Sequence, residues 1–242
     1  MTIARTLLAL IAMALASGSA AAATIKGSGT TKTESRNAVG FHAIALGVPA
    51  TLTIRQGNVE GIALTGDDNI VALVETVVED GVLKIRWPRR SDYATSYQSL
   101  SIVVDAKTVD GISIGGSGTI RAEKLTAPSL AAKIGGSGEI AIDRLEVKSA
   151  TVTIGGSGRV TLAGRTDTLE ATLAGSGDMM AGKLEASDVR ATLQGSGRAN
   201  VWATTNLRVT IAGSGEVEYY GRPQVRQTLA GSGRVHQLGA AP

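Results

Sequence analysis

The chain has no cysteine, two histidines and five prolines in 242 residues. Without thiols it can form no disulfide framework, no thiolate metal centre and no lipid-bearing cysteine. His42 and His236 lie at opposite ends of the sequence, so no metal-ligand spacing exists and no cofactor is expected. Aromatics are scarce as well: Phe41, Trp87, Tyr93, Tyr97, Trp202, Tyr219 and Tyr220 are all there are. So few large side chains predict a narrow core of Ala, Val, Ile and Leu rather than the aromatic-rich core of a sandwich or barrel. Charge is nearly balanced at a formal +3, with no run of Lys or Arg longer than two, which excludes nucleic acid as the expected partner.

Long hydrophobic runs are missing except at the N-terminus. Residues 1–23 carry Arg5, then an apolar stretch from Leu7 to Ala16, then small residues. This layout is that of a secretory signal peptide, with cleavage expected after Ala22 or Ala23. The apolar stretch is short for a membrane span, and no second span follows it. The mature chain is therefore expected to be exported, to the periplasm or the cell surface.

What the chain has in abundance is glycine, 31 residues in all, much of it in one recurring context. Gly-Ser-Gly occurs with its serine at positions 117, 137, 157, 176, 196, 214 and 232, and an earlier copy sits at Ser28. The flanks repeat too. Three residues before the serine stand Ile114, Ile134, Ile154, Leu173, Leu193, Ile211 and Leu229, and three after it Ile120, Ile140, Val160, Met179, Ala199, Val217 and Val235. Five before it the series is apolar or small until Gln227. Odd offsets are apolar and even offsets polar or small, the period of a strand with one buried face. A repeat of 18–20 residues built from a strand, a tight bend, a second strand and a return loop predicts an all-β parallel β-helix (solenoid).

The even offsets test that stacking. Two residues after the serine stand Glu139, Arg159, Asp178, Arg198, Glu216 and Arg234, alternating in sign at every rung. In-register stacking would set each interior charge between two opposite ones and penalise register slips. Four before the serine, Thr153, Thr172, Thr192, Thr210 and Thr228 form a candidate outward column. Mostly small residues, Gly155, Ala174, Gln194, Ala212 and Ala230, flank it on one side and Glu170, Arg190, Arg208 and Arg226 on the other. Threonine suits exposed strand positions for its own sake; the competing reading is a flat contact strip with a basic margin, for a glycan or a protein.

Residues 24–110 lack the regular bend but read as strands, with runs at Phe41–Leu46, Ala50–Ile54, Gly61–Leu64, Ile70–Val78, Val82–Trp87 and Leu100–Val104 separated by Gly-, Pro- and Asp-containing turns. They are expected to start the coil irregularly and cap it, with the regular repeats occupying residues 111–238. A loop from Trp87 to Ser99 carries Trp87, Tyr93, Tyr97 and two arginines. It is a second candidate binding element, or a cover for the coil's flank.

Enzyme chemistry finds little support. The bend serines have no evident His partner. The one candidate carboxylate pair for a polysaccharide-active enzyme, Asp67-Asp68, stands in an ordinary Asx-rich turn. A structural envelope protein that assembles through its coil ends is the other alternative.

Arg36 to Phe41, Thr53-Ile54-Arg55-Gln56-Gly57, Gly66-Asp67-Asp68-Asn69 and Asp80-Gly81-Val82-Leu83-Lys84-Ile85, followed by the Gly-Ser-Gly ladder, together resemble the bacterial auto-transporter adhesin family with a head GIN domain. The resemblance covers residues 27–238. It implies a right-handed β-helix similar in shape to pectin lyases without their catalytic residues, and a role in adhesion. No translocating barrel is expected after residue 238.

Overall fold

The alternation of inward aliphatic and outward polar residues closes the chain into a coil of parallel strands. The computed structural model describes residues 23–88, 93–97 and 99–241. Residues 1–22 of the segment read as a signal peptide lie outside the described residues, as do residues 89–92 of the aromatic-basic loop.

The N-terminal section contains β1 (Ala23–Lys26), β2 (Thr31–Arg36), β3 (Ala43–Leu46), β4 (Thr51–Gln56), β5 (Gly61–Asp67), α1 (Asp68–Leu73), β6 (Glu75–Glu79), β7 (Val82–Arg86), β8 (Tyr93–Ser96) and β9 (Leu100–Ala106). The repeats supply β10 (Gly111–Ile114), β11 (Thr119–Thr126), β12 (Ser129–Ile134), β13 (Glu139–Gly156), β14 (Arg159–Gly175), β15 (Asp178–Gly195), β16 (Arg198–Gly213), β17 (Glu216–Tyr220), β18 (Gln224–Gly231) and β19 (Arg234–Gly239).

From β13 to β16 each rung is one continuous strand of 16–18 residues that starts just after one Gly-Ser-Gly bend and ends at the next. The return loop expected from the sequence is thus absent from these rungs. The chain instead turns within the strand, at register shifts such as those after Ile142 and Thr161. Such irregularities bend a strand without breaking its ladder.

Stacking is parallel and in register. Ile134 lies against Ile154, Ile154 against Leu173, Leu173 against Leu193, Leu193 against Ile211 and Ile211 against Leu229. Ile134 to Ile211 in this column are each no more than 2 % exposed. The core is aliphatic as expected, with Phe41 its one buried phenylalanine.

The first glycine of each bend explains the repeat's composition. At Gly195 φ is +124°, and a Cβ there would sit 2.5 Å from the Gly175 carbonyl oxygen on the rung below. That same oxygen accepts the backbone N–H of Ser196 at 3.0 Å. Only a residue without Cβ allows this close approach.

The N-terminal section joins the same coil: β3 and β4 stack parallel on β10 and β11, and β7 and β9 stack parallel on β3 and β4. Beyond them the direction reverses, with β5 antiparallel to β9, β2 to β5 and β6 to β7. The run Ile70–Val78 is not one strand. Its first part is α1, whose Ile70 and Val71 are fully buried at the coil's end. Six residues make fewer than two helical turns, too short to leave a 3.6-residue period in the sequence.

The two ends of the coil differ. Arg36 donates to the carbonyl of Val71 at 2.8 Å, holding α1 over the N-terminal end. At the other end, among the described residues, β18 and β19 each pair on one side only. There Val225 and Leu229 are 39 % and 42 % exposed.

Candidate functional site

Outward positions of the second half of each rung form three parallel columns. The threonines pair as predicted, Thr153 with Thr172, Thr172 with Thr192, Thr192 with Thr210 and Thr210 with Thr228. They are half-buried at Thr153, Thr172 and Thr192, where neighbouring rungs shade them, and exposed at Thr210 and Thr228. Two residues earlier in each strand runs the column Glu170, Arg190, Arg208, Arg226, also in register and exposed. Two earlier again come Thr168, Asp188, Asn206 and Gln224. Strand pleating puts all three columns on one face of the coil, while Leu169, Val189 and Leu207 between them point into the core.

Between the second and third columns lies a groove of about 570 Å³ that runs along the coil axis. Asn206 donates from its side-chain amide to Asp188 at 2.5 Å within it. Sequence reasoning picked out both arginine and threonine columns. It missed the groove and its Asp188–Asn206–Gln224 wall, although the same 18–20-residue alignment places that column in register.

The alternating charges fall where the sequence puts them: Glu139, Arg159, Asp178, Arg198, Glu216 and Arg234 are successive partners along the first half of the rungs. Asp178 accepts from Arg159 at 2.9 Å and from Arg198 at 3.4 Å. The hydrogen bond from Arg159 is the main cause holding its carboxyl below the usual carboxylate range. By contrast, among the described residues no carboxylate forms an ion pair with Arg190, Arg208 or Arg226.

The second candidate element is placed elsewhere. Trp87 meets Tyr97 edge-on at 6.1 Å between ring centroids, and the Tyr97 hydroxyl donates to the Pro49 carbonyl at 2.7 Å. Both rings pack against the core, and burial pushes the Tyr97 hydroxyl's pKa up. The backbone of Tyr93 lies in β8, which pairs with β1 in a separate two-stranded sheet. The described parts of the loop therefore sit over the N-terminal flank, apart from the columns.

Asp67 and Asp68 have structural partners. Asp67 accepts the N–H of Gly29 at 2.9 Å, Asp68 accepts the Ser28 hydroxyl at 2.5 Å, and Asn69 accepts the Ser28 N–H at 3.0 Å. The hydroxyl of Ser28 is the chief reason the Asp68 carboxyl titrates lower than usual. The first Gly-Ser-Gly copy is thus a clasp for the N-terminal strands and not a rung bend. Among the described residues no cluster of three or more His, Cys, Asp or Glu side chains converges as a metal would need.

Residues 40–223, which hold most of the coil and all three columns up to Gly221, match the family described as "Putative auto-transporter adhesin, head GIN domain". The chain belongs to this family. Solved structures share the head GIN fold over nearly their whole length. A "putative adhesin" from Bacteroides fragilis is 27 % identical, with a TM-score of 0.81 over 89 % of this chain and 99 % of that one. A "putative lipid binding protein" from Parabacteroides distasonis is 23 % identical, TM-score 0.76, over 89 % and 99 %. A "putative adhesin" from Parabacteroides merdae is 22 % identical, TM-score 0.70, over 90 % and 100 %. The last two likenesses speak to the fold alone. No functionally curated protein matches the head GIN chain. None of its described helices is long and apolar enough to cross a membrane.

Proposed function

We propose that this chain is an exported, non-enzymatic β-helix that binds a glycan or a cell-envelope partner in the manner of an adhesin. The contact surface is the face carrying Thr153, Thr172, Thr192, Thr210 and Thr228 with Arg190, Arg208 and Arg226. The observation that carries this reading is the unbroken register of these columns beside a groove of about 570 Å³. A repeated outward side chain at every rung suits a ligand that itself repeats. Export is supported by the Arg5–Ala16 layout and by membership of an adhesin family. The absence of catalysis is supported by Asp67 and Asp68 both being engaged with the Ser28-Gly29 clasp.

The test is a panel of bacterial and host polysaccharides, with binding and released reducing ends read in the same wells. Binding without cleavage, lost on Thr192→Arg, supports the reading. Cleavage refutes the non-enzymatic part, and silence throughout refutes glycan recognition.

A second reading, assembly of copies through the coil end, is favoured by one observation: the exposed Val225 and Leu229 on a β18 edge with no partner among the described residues. Open strand edges invite pairing. Sedimentation velocity across a concentration series decides it, a single monomer peak at every concentration excluding assembly.

A further inference from the structure

Two charge columns on one coil obey opposite rules. From Glu139 to Arg234 the sign alternates, and Asp178 is bonded by the arginines above and below it. In the second half of the rungs the column begins with Glu170, and after it Arg190, Arg208 and Arg226 stack directly on one another, with no carboxylate ion-paired to them among the described residues. Parallel strands are about 4.8 Å apart, so the three arginine backbones span about 10 Å along the axis. Like charges in adjacent register positions repel. A chain that alternates charges in one column and stacks like charges in the other leaves three cations facing outward for an anion to neutralise.

The surroundings narrow that anion's class. The groove beside the arginines runs along the same axis, and its far wall offers the amides of Asn206 and Gln224 and the carboxylate of Asp188. Amides and a carboxylate satisfy hydroxyl groups, while guanidinium forks take carboxylates in a bidentate grip. The Leu169, Val189 and Leu207 side chains are buried, so the groove has little to hold an acyl chain. It has no aromatic ring on which a nucleobase would stack. A pyranose unit is about as long as one rung step, so a linear sugar acid laid along the axis presents acidic groups and hydroxyls at the rung repeat.

We propose that the Arg190–Arg208–Arg226 column and its groove form a subsite for an acidic linear polysaccharide lying parallel to the coil axis. This rests on the glycan-binding reading above and specifies its chemistry. The probes are polygalacturonate and alginate oligomers, each beside its methyl-esterified neutral twin, titrated into the purified chain. Expected is binding of at least one acid form, at least about tenfold weaker binding of its neutral twin, and steep loss with added salt. Arg208→Gln weakens binding about tenfold, whereas Arg121→Gln, an equal charge loss at an exposed position outside the groove, leaves it unchanged. Arg208 is exposed, and unaltered thermal unfolding of both variants establishes that folding is not the cause.

Equal binding of acid and neutral forms, blocked by Thr192→Arg but indifferent to Arg208→Gln, overturns the subsite and leaves the wider glycan reading standing. No binding by any probe overturns both. Arginine-dependent binding to phosphatidylglycerol vesicles with none to the polysaccharides overturns the subsite in favour of a lipid headgroup.

Discussion

A methyl group added to the first glycine of a bend has unequal consequences at two corresponding positions. Gly195 has φ +124°, and its Cβ would lie 2.5 Å from the Gly175 carbonyl oxygen. Holding a non-glycine residue in that backbone region costs about 1–3 kcal/mol. Relieving the contact forces two rungs apart at the hydrogen bond from Ser196 to Gly175, 3.0 Å long, whose loss costs about 1 kcal/mol. Gly195→Ala is therefore expected to destabilise the coil by about 2–4 kcal/mol. Gly116 occupies the same place in the first bend, yet a Cβ there meets nothing within 4 Å and its φ is not in the left-handed region. The reason is that its neighbour below is the differently shaped Gly47–Pro49 turn and not another Gly-Ser-Gly. Gly116→Ala should fall within about 0.5 kcal/mol of the parent. The assay is denaturant unfolding of the purified variants, comparing midpoints at unchanged slope. Equal effects of the two substitutions would refute the claim that the positive φ and the close rung contact at Gly195 together make the glycine necessary.

Asp178→Arg places three arginines in succession, Arg159 and Arg198 being its ladder partners. It should destabilise by about 1–2 kcal/mol at low salt and recover part of that in about 1 M NaCl; salt-independent loss in a melting series would contradict the electrostatic account. Because the folded Asp178 carboxyl is held low, its contribution is present above the unfolded value of about 3.9 and disappears as pH falls through the lower folded value. The gap between parent and Asp178→Asn should thus be constant above about pH 5 and close below about pH 4, by unfolding at a series of pH values. Leu193 is fully buried and Leu229 is 42 % exposed in the same column. Leu193→Ala should cost about 2–4 kcal/mol and Leu229→Ala less than about 1 kcal/mol; equal costs in thermal unfolding would mean that the coil's end is covered in solution.

How much of this was legible depended on whether a feature repeats. The inward columns, the alternating ladder and the threonine column each reappear every 18–20 residues, so the alignment on Ser117 to Ser232 places them in register without coordinates. Features that occur once left weaker traces. The helix α1 is too short to carry a period, and the clasp of Ser28 and Gly29 on Asp67, Asp68 and Asn69 joins residues 38–41 apart whose pairing no local pattern announces. The continuous strands of β13–β16 were also hidden, because Gly164 and Asp167 look like loop residues. The parallel neighbours on both sides keep the backbone extended there regardless. Asp80 and Gly81, both at positive φ, do what their sequence says and turn β6 into β7.

The division between stability and recognition follows from the same geometry. Inward residues and bend glycines are constrained by the rungs above and below, so their identities report stacking. Outward residues of the second half-strand touch no core, and any polar residue of modest size would satisfy the fold there. A neutral or alternating outward column needs no explanation beyond register, as Glu139 to Arg234 illustrates. Three arginines in succession work against the coil's own electrostatics. In a solenoid the positions that stacking would not choose are therefore where recognition is to be sought, and Arg190, Arg208 and Arg226 are such positions.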